Sequence, residues 1–239
     1  MASERDSESA TTHPFPCKIA LLRPSCGGQA AQERVGAGKP EGGPRSVAFL
    51  LIAATHVLVP VKSFRQAKVR LAPALSEPER ATLARTMATR VLLAAGSLPV
   101  SVVCDDREVA DWAEANGAAV IWRPGLGLNG AVTDGVEQLT REHGAIEVVV
   151  AHGDLPLADD LTRVIGFAGI TLVPDRHDDG TNVLCIPTRV GFEFAYGPGS
   201  FTRHRNEADR LQLPYRVLRD PRLGWDVDVP ADLELPSAP

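Results

Sequence analysis

The chain has 239 residues, an apolar fraction of 44% and a formal net charge of −5. Its length suits one domain with an appendage, and its apolar share is ample for a packed core. The acidic balance, with no basic stripe, excludes a nucleic-acid footprint; the longest apolar stretch, residues 47–61, is broken by His56 and Pro60 and is too short to span a bilayer.

Cys17, Cys26, Cys104 and Cys185 show neither a CxxC pair nor His-paired metal spacing. Reduced, packed thiols in a soluble cytoplasmic protein are therefore expected. Arg45 before the apolar run resembles an internal signal peptide, but the acidic, Ser-rich prefix is the wrong flank for one.

Residues 1–46 are rich in Gly, Ser, Pro and charge without a sustained period, so they are expected to form a disordered extension. Residues 47–235 then make up the folded domain. His56–Val61 reads as a buried strand, followed by a cationic loop. The chain has four lysines; Lys18 and Lys39 fall in the extension, and Lys62 and Lys68 share this loop. A chain that otherwise uses Arg places its compact ammonium groups together here, and Lys is the point-charge binder of phosphate.

Ser76-Glu77-Pro78-Glu79 is a capping box, and Leu83, Met87 and Val91 form the apolar face of the helix it opens. Val100–Cys104 predicts a strand, Arg107–Asn116 a helix stopped by Gly117, and Ala119–Trp122 a third strand. The glycine-rich turn at 125–130 opens a helix carrying Val132, Val136 and Leu139. Ile146–Ala151 is the next strand, running into His152-Gly153-Asp154-Leu155-Pro156. A helix is expected around Asp159–Phe167, then strands at Ile170–Val173, Val183–Ile186 and Tyr215–Leu218. Phe194–Phe201 reads as a small-residue loop, and His204 beyond it as a structural or surface histidine.

This alternation implies an α/β fold, a mostly parallel sheet with helices on both faces. Ligands on such sheets sit beyond the carboxyl ends of the strands, which collects Lys62, Lys68, Asn129 and Asp154 at one rim. Asp154 directly follows a strand and can hold Mg²⁺, which takes one or two protein carboxylates plus waters and substrate phosphates. Asp226 and Asp228 alternate with Val227, so an extended segment would put them on one face and let one supply a second ligand. Metal and cation together are what phosphoryl and nucleotidyl transfer need. Gly180-Thr181-Asn182 and Gly197-Pro198-Gly199-Ser200 offer hydroxyls and small-residue backbone, suited to a phosphate or carboxylate. GxSxG, HExxH and a GxGxxG after the first strand are all missing.

In order, the motifs are Pro60-Val61-Lys62, Ala67-Lys68-Val69-Arg70-Leu71, Leu128-Asn129-Gly130-Ala131, Gly153-Asp154-Leu155-Pro156, Gly180-Thr181-Asn182, Tyr196-Gly197-Pro198-Gly199-Ser200 and Asp226-Val227-Asp228-Val229-Pro230. This ordered set resembles the 2-phospho-L-lactate and phosphoenolpyruvate guanylyltransferases of deazaflavin coenzyme F-420 biosynthesis, over residues 56–233. The resemblance implies a single-domain, Rossmann-like (GT-A-like) nucleotidyltransferase fold that uses GTP, Mg²⁺ and a small phosphorylated three-carbon acid. By position, it implies that Thr181, Gly197 and Ser200 bind the acid, and that Lys62, Lys68 and Arg70 hold the GTP phosphates. Asn129 would lie near the nucleoside, and Asp154 and Asp228, with Asp226, would hold the metal. His152 departs from the small or polar residue expected before Gly153. The rivals are a CTP or UTP enzyme acting on a sugar or polyol phosphate, and a non-catalytic nucleotide-binding protein on the same scaffold. Oligomeric state is left open, a homodimer included.

Overall fold

A computed structural model describes residues 54–235, so the expected extension at 1–46 and positions 47–53 lie outside the described residues. Among the described residues, four α-helices and seven strands follow in order. They are β1 (Thr55–Pro60), α1 (Glu77–Ala94), β2 (Val100–Cys104), α2 (Arg107–Ala115), β3 (Ala119–Trp122), α3 (Gly127–Glu142), β4 (Glu147–Ala151), β5 (Ile170–Pro174), β6 (Thr181–Pro187), α4 (Ser200–Arg210) and β7 (Tyr215–Val217).

The strands form one sheet in the order β3-β2-β1-β4-β6-β5-β7. β6 pairs antiparallel with β4 and β5, and every other pairing is parallel. Strand alternation feeds two cores. Val57, Val59, Val149 and Ala151 pack with α1 and α2 on one face, while Leu58, Val148 and Val150 pack with α3 and α4 on the other. On the second face α3 approaches β1 closely at Gly135, where a Cβ would meet Leu58 Cδ2 at 2.9 Å.

The start of α1 follows the sequence signal. Glu79 accepts hydrogen bonds from the Ser76 backbone N–H (2.8 Å) and hydroxyl (2.6 Å). Cys104 and Cys185 lie in strands as free, buried thiols. Among the described residues no helix is long and apolar enough to cross a membrane.

Two local expectations fail. The helix expected around Asp159–Phe167 is only a 3₁₀ turn, Leu161–Val164, because Asp160 caps Thr162 and Gly166 takes a left-handed φ of 77° two residues past its end. The expected loop Phe194–Phe201 ends early: Ser200 and Phe201 start α4, which carries His204 into the second core.

The reversal of β6 matters for function. It puts the first residue of β6, not the last, at the rim where its neighbours end. Thr181 pairs with Pro174 at the end of β5, and Val183 with Ala151 at the end of β4.

Candidate active site

The loop after β1 is pinned at both ends. Phe64 is buried edge-on against Trp112, with ring centroids 5.2 Å apart, and Leu71 is fully buried. Between them Lys68 adopts a left-handed backbone, φ 56° and ψ 39°, which costs a non-glycine residue about 1–3 kcal/mol and persists only where surrounding contacts impose it. Its ammonium supplies those contacts, with Nζ lying 2.6 Å from Asp154 Oδ2 and 2.9 Å from Asp228 Oδ1.

Each carboxylate is brought in by its own device. Asp154 follows β4 through Gly153, where a Cβ would meet Val61 Cγ2 at 3.3 Å, so the glycine lets this turn lie against the loop after β1. Asp228 arrives because its neighbour Val227 is buried with Leu71, Leu75, Leu83 and Met87, a small core that seats the C-terminal segment on the loop and α1. Buried Asp232 then fixes the backbone. Its Oδ2 accepts from the N–H groups of Asp228 (2.7 Å) and Val229 (2.8 Å), and Arg176 pairs with its other oxygen.

Burial opposes charge on Lys68, but Asp154 and Asp228 outweigh it and raise its pKa above the usual lysine range. Burial likewise opposes charge on Asp154, and Lys68 foremost overcomes it and lowers the pKa. The pair is therefore fully ionised at neutral pH. Asp226 differs. Burial first, then Asp154, with Asp228 a smaller contribution, push its pKa up to about 6.

Asp226 and Asp228 both line a second cavity, but their carboxylates meet different partners. Asp228 meets Lys68, whereas Asp226 Oδ1 lies 3.5 Å from Arg176 Nη1. Asp228 borders two cavities, and Asp226 lines only the second, of about 500 Å³.

The first cavity, about 530 Å³, is walled by Lys62, Lys68 and Arg70 of the loop and by His152, Asp154 and Asp228. Lys62 is exposed, and Arg70 Nη1 lies 3.8 Å from Asp228 Oδ2. The structure thus gathers three cationic and two of the three acidic residues predicted for the site.

The other predicted residues form an adjoining cluster. Thr181 and Ser200 are buried with their hydroxyl oxygens 3.5 Å apart, and the Gly197 carbonyl accepts the Ser200 N–H at 3.0 Å. Asn129 is occupied: Oδ1 accepts the Tyr196 N–H (2.7 Å), and Nδ2 reaches the Tyr196 carbonyl at 3.5 Å. Its amide holds the Tyr196–Gly197 turn against the start of α3.

Fully buried His204 organises this cluster. Its Nε2 accepts the Ala195 N–H at 3.0 Å, so Nδ1 carries the proton and donates to Thr181 Oγ1 at 3.0 Å. Burial, then Arg203, push its pKa down to about 4, and it stays neutral. His204 is thus the structural histidine that its sequence reading allowed, whereas Asp232, Arg176 and the helix α4 that carries His204 were missed. The i, i+3, i+7 spacing of Phe201, His204 and Ala208 was the available signal for α4.

With this geometry in place, comparison with known proteins is decisive. A family model described as guanylyl transferase CofC like matches residues 55–235. The chain belongs to that family. Among related guanylyltransferases, the phosphoenolpyruvate guanylyltransferase of Sphaerobacter thermophilus is 38% identical over 189 residues, covering 75% of this chain and 91% of the relative. The protein of the same name from a Roseiflexus species is 38% identical, covering 74% and 82%. The 2-phospho-L-lactate guanylyltransferase of Methanocaldococcus jannaschii is 28% identical, covering 74% and 80%.

Among solved structures, 4-diphosphocytidyl-2C-methyl-D-erythritol synthase superposes with a TM-score of 0.54 at 13% identity, over 74% of this chain and 94% of that one. CMP:2-keto-3-deoxy-manno-octonic acid synthetase complexed with CTP gives 0.50 at 14%, over 75% and 95%. At such identities the likeness establishes the fold, a single-domain Rossmann-like nucleotidyltransferase fold, and nothing finer.

Proposed function

We propose that this guanylyltransferase moves GMP from GTP onto a small phosphorylated three-carbon acid, releasing pyrophosphate, as a step of deazaflavin coenzyme F-420 biosynthesis. Phosphoenolpyruvate is the preferred acceptor, because relatives named for it are 38% identical against 28% for the one named for 2-phospho-L-lactate. One observation carries the reading. Lys68 bridges Asp154 and Asp228 at the wall of a cavity that Lys62 and Arg70 also line.

In the reaction a phosphate oxygen of the acid attacks the α-phosphorus of GTP. The bond from that phosphorus to the bridging oxygen of the β-phosphate breaks, and pyrophosphate leaves. A phosphate monoester is mostly dianionic at neutral pH, with a second pKa of about 6, so the nucleophile needs no general base. The chain's task is to position two anions and offset their repulsion. Lys62, Lys68 and Arg70 are assigned to the triphosphate. Thr181, Gly197 and Ser200, whose hydroxyl and backbone groups His204 and Asn129 hold in place, are assigned to the acid.

The residues also fit Mg²⁺. Asp154 Oδ1 is buried without a hydrogen-bond partner, and the all-oxygen donor pair Asp154 and Asp228 suits a hard cation. No group of three His, Cys, Asp or Glu with metal-binding geometry occurs among the described residues, but two carboxylates suffice for an ion that also takes substrate phosphates. Asp226, turned to Arg176, is the reserve ligand. When bound, Mg²⁺ supplies neutralisation of the phosphate charge.

The test is pyrophosphate release by the purified protein with GTP and Mg²⁺, comparing phosphoenolpyruvate, 2-phospholactate, 3-phosphoglycerate and no acceptor. Release that requires both GTP and one of these acids is expected. Release only with CTP or UTP and a sugar phosphate would overturn the substrate assignment and leave the fold intact.

A further inference from the structure

Among the described residues, five buried side-chain polar atoms have no hydrogen-bond partner, and three of them belong to one patch: Asp154 Oδ1, His152 Nε2 and Tyr196 Oη. Buried polar atoms are nearly always paired, so a local concentration of unpaired ones needs a cause. Asp154 has one in the metal site proposed above. His152 has none in anything described so far.

His152 is held firmly. Its backbone N–H donates to the Asn182 carbonyl of β6 at 3.0 Å, and its ring packs on Tyr196 with centroids 4.8 Å apart. Tyr196 in turn packs edge-on against His204, with centroids 4.9 Å apart, and its N–H is taken by Asn129. The His152 ring thus stands between the Lys68–Asp154–Asp228 group, whose cavity it lines, and the Thr181–Ser200–His204 cluster. A phenylalanine could make the same ring contact without burying an unpaired nitrogen.

We propose that His152 is a substrate-contacting residue whose Nε2–H donates to a phosphate oxygen at the junction of the two subsites. The inference rests on the guanylyl-transfer reading above, which brings a triphosphate and a phosphorylated acid together at this point. A neutral N–H donor beside Lys68 suits an anionic oxygen and offsets the nearby Asp154 carboxylate. That oxygen belongs either to GTP or to the acid, and kinetics separate the two.

Two variants isolate the contact. His152→Phe keeps the ring against Tyr196 and removes the donor, whereas His152→Gln restores an N–H at similar reach. A hydrogen bond to a charged group corresponds to about a 10- to 100-fold change in affinity. His152→Phe is expected to raise one KM by that factor while kcat moves less, and His152→Gln to recover most of the loss. A rise confined to the acid places the oxygen on the acceptor, and one confined to GTP places it on the nucleotide. A folded His152→Phe protein with both KM values unchanged overturns the proposal.

A second measurement needs no turnover. In ¹⁵N-histidine-labelled wild-type protein, the His152 Nε2 resonance, assigned by its loss in His152→Gln, should shift when GTP with Mg²⁺ or phosphoenolpyruvate is added. Binding of both substrates without that shift also overturns it. If the wild type binds both ligands but guanylylates no acid, the guanylyl-transfer reading fails on its own, and the two titrations together still decide the His152 contact.

Discussion

Replacing Lys68 by methionine tests whether its ammonium holds the rim together. Its side chain is only 10% exposed, against 25% for Asp154 and 49% for Asp228. Removing one partner of a fully buried pair costs about 3–5 kcal/mol, and exposed pairs contribute about 0–1 kcal/mol. The half-exposed Asp228 pulls the expected loss down to about 2 kcal/mol, or roughly 4–8 °C in Tm for a domain of this size. Methionine keeps the stem's packing, and the left-handed backbone remains strained in both proteins, so the difference isolates the charge.

Its pH dependence follows from the signs. Lys68 has a raised pKa, so its contribution is complete below the ordinary lysine value and is lost only at strongly alkaline pH. Asp154 has a lowered pKa, so its contribution is present above the ordinary carboxylate value, about 3.9, and is lost as pH falls below it. Differential scanning calorimetry of both proteins should therefore show a constant gap from about pH 5 to 9 that closes in stronger acid. Millimolar Mg²⁺ should raise the Tm of the variant more than that of the wild type, since the two carboxylates then have no internal cation. Equal melting temperatures at pH 7, or a gap that persists unchanged in strong acid, would refute the reasoning.

Asp154→Asn should lower kcat by at least about 10²-fold while far-UV circular dichroism stays native, since one charged oxygen of the cation site is lost; near wild-type turnover would remove Asp154 from that site. Asp226, with its pKa raised to about 6, binds more protons folded than unfolded, so it makes stability fall as pH rises from about 4 to 6. Asp226→Asn in metal-free buffer should abolish that slope and leave Tm at pH 7 unchanged or higher. A marked drop in Tm would show that the Arg176 pairing dominates instead. Ser200→Leu crowds a buried position beside Thr181 and should raise the KM for the acid about tenfold or more while that for GTP changes little; an unchanged acid KM would remove Ser200 from the acceptor site. Gly135→Ala sets its Cβ 2.9 Å from Leu58 Cδ2 and should cost about 1–2 kcal/mol by chemical denaturation, the overlap outweighing alanine's better helix propensity.

Most of the described strands were legible because they are apolar runs bounded by turn residues, a signal that depends mainly on burial; half-buried β7, which holds Arg216, is the weakest case. Burial carries no direction, however. β6 reads the same forwards or backwards, so its reversal, which brings Thr181 to the rim, was invisible. α4 was missed for a related reason. Its inward positions include His204 and Glu207, polar groups whose hydrogen bonds make them suitable for a core, and polarity hides the helical period. Lys68, Asp154 and Asp228, which the structure brings together, stood out because lysine is scarce, because Asp154 directly follows a strand and because Asp226 and Asp228 alternate with Val227. Arg176 and Asp232 did not stand out, and His204 was read as structural or surface without its partners, because these residues act on other segments and such pairings exist only after the chain closes. His152 lies between these cases. It stood in plain view beside Gly153, yet its unpaired nitrogen became visible only once the structure had accounted for the partners of the groups around it.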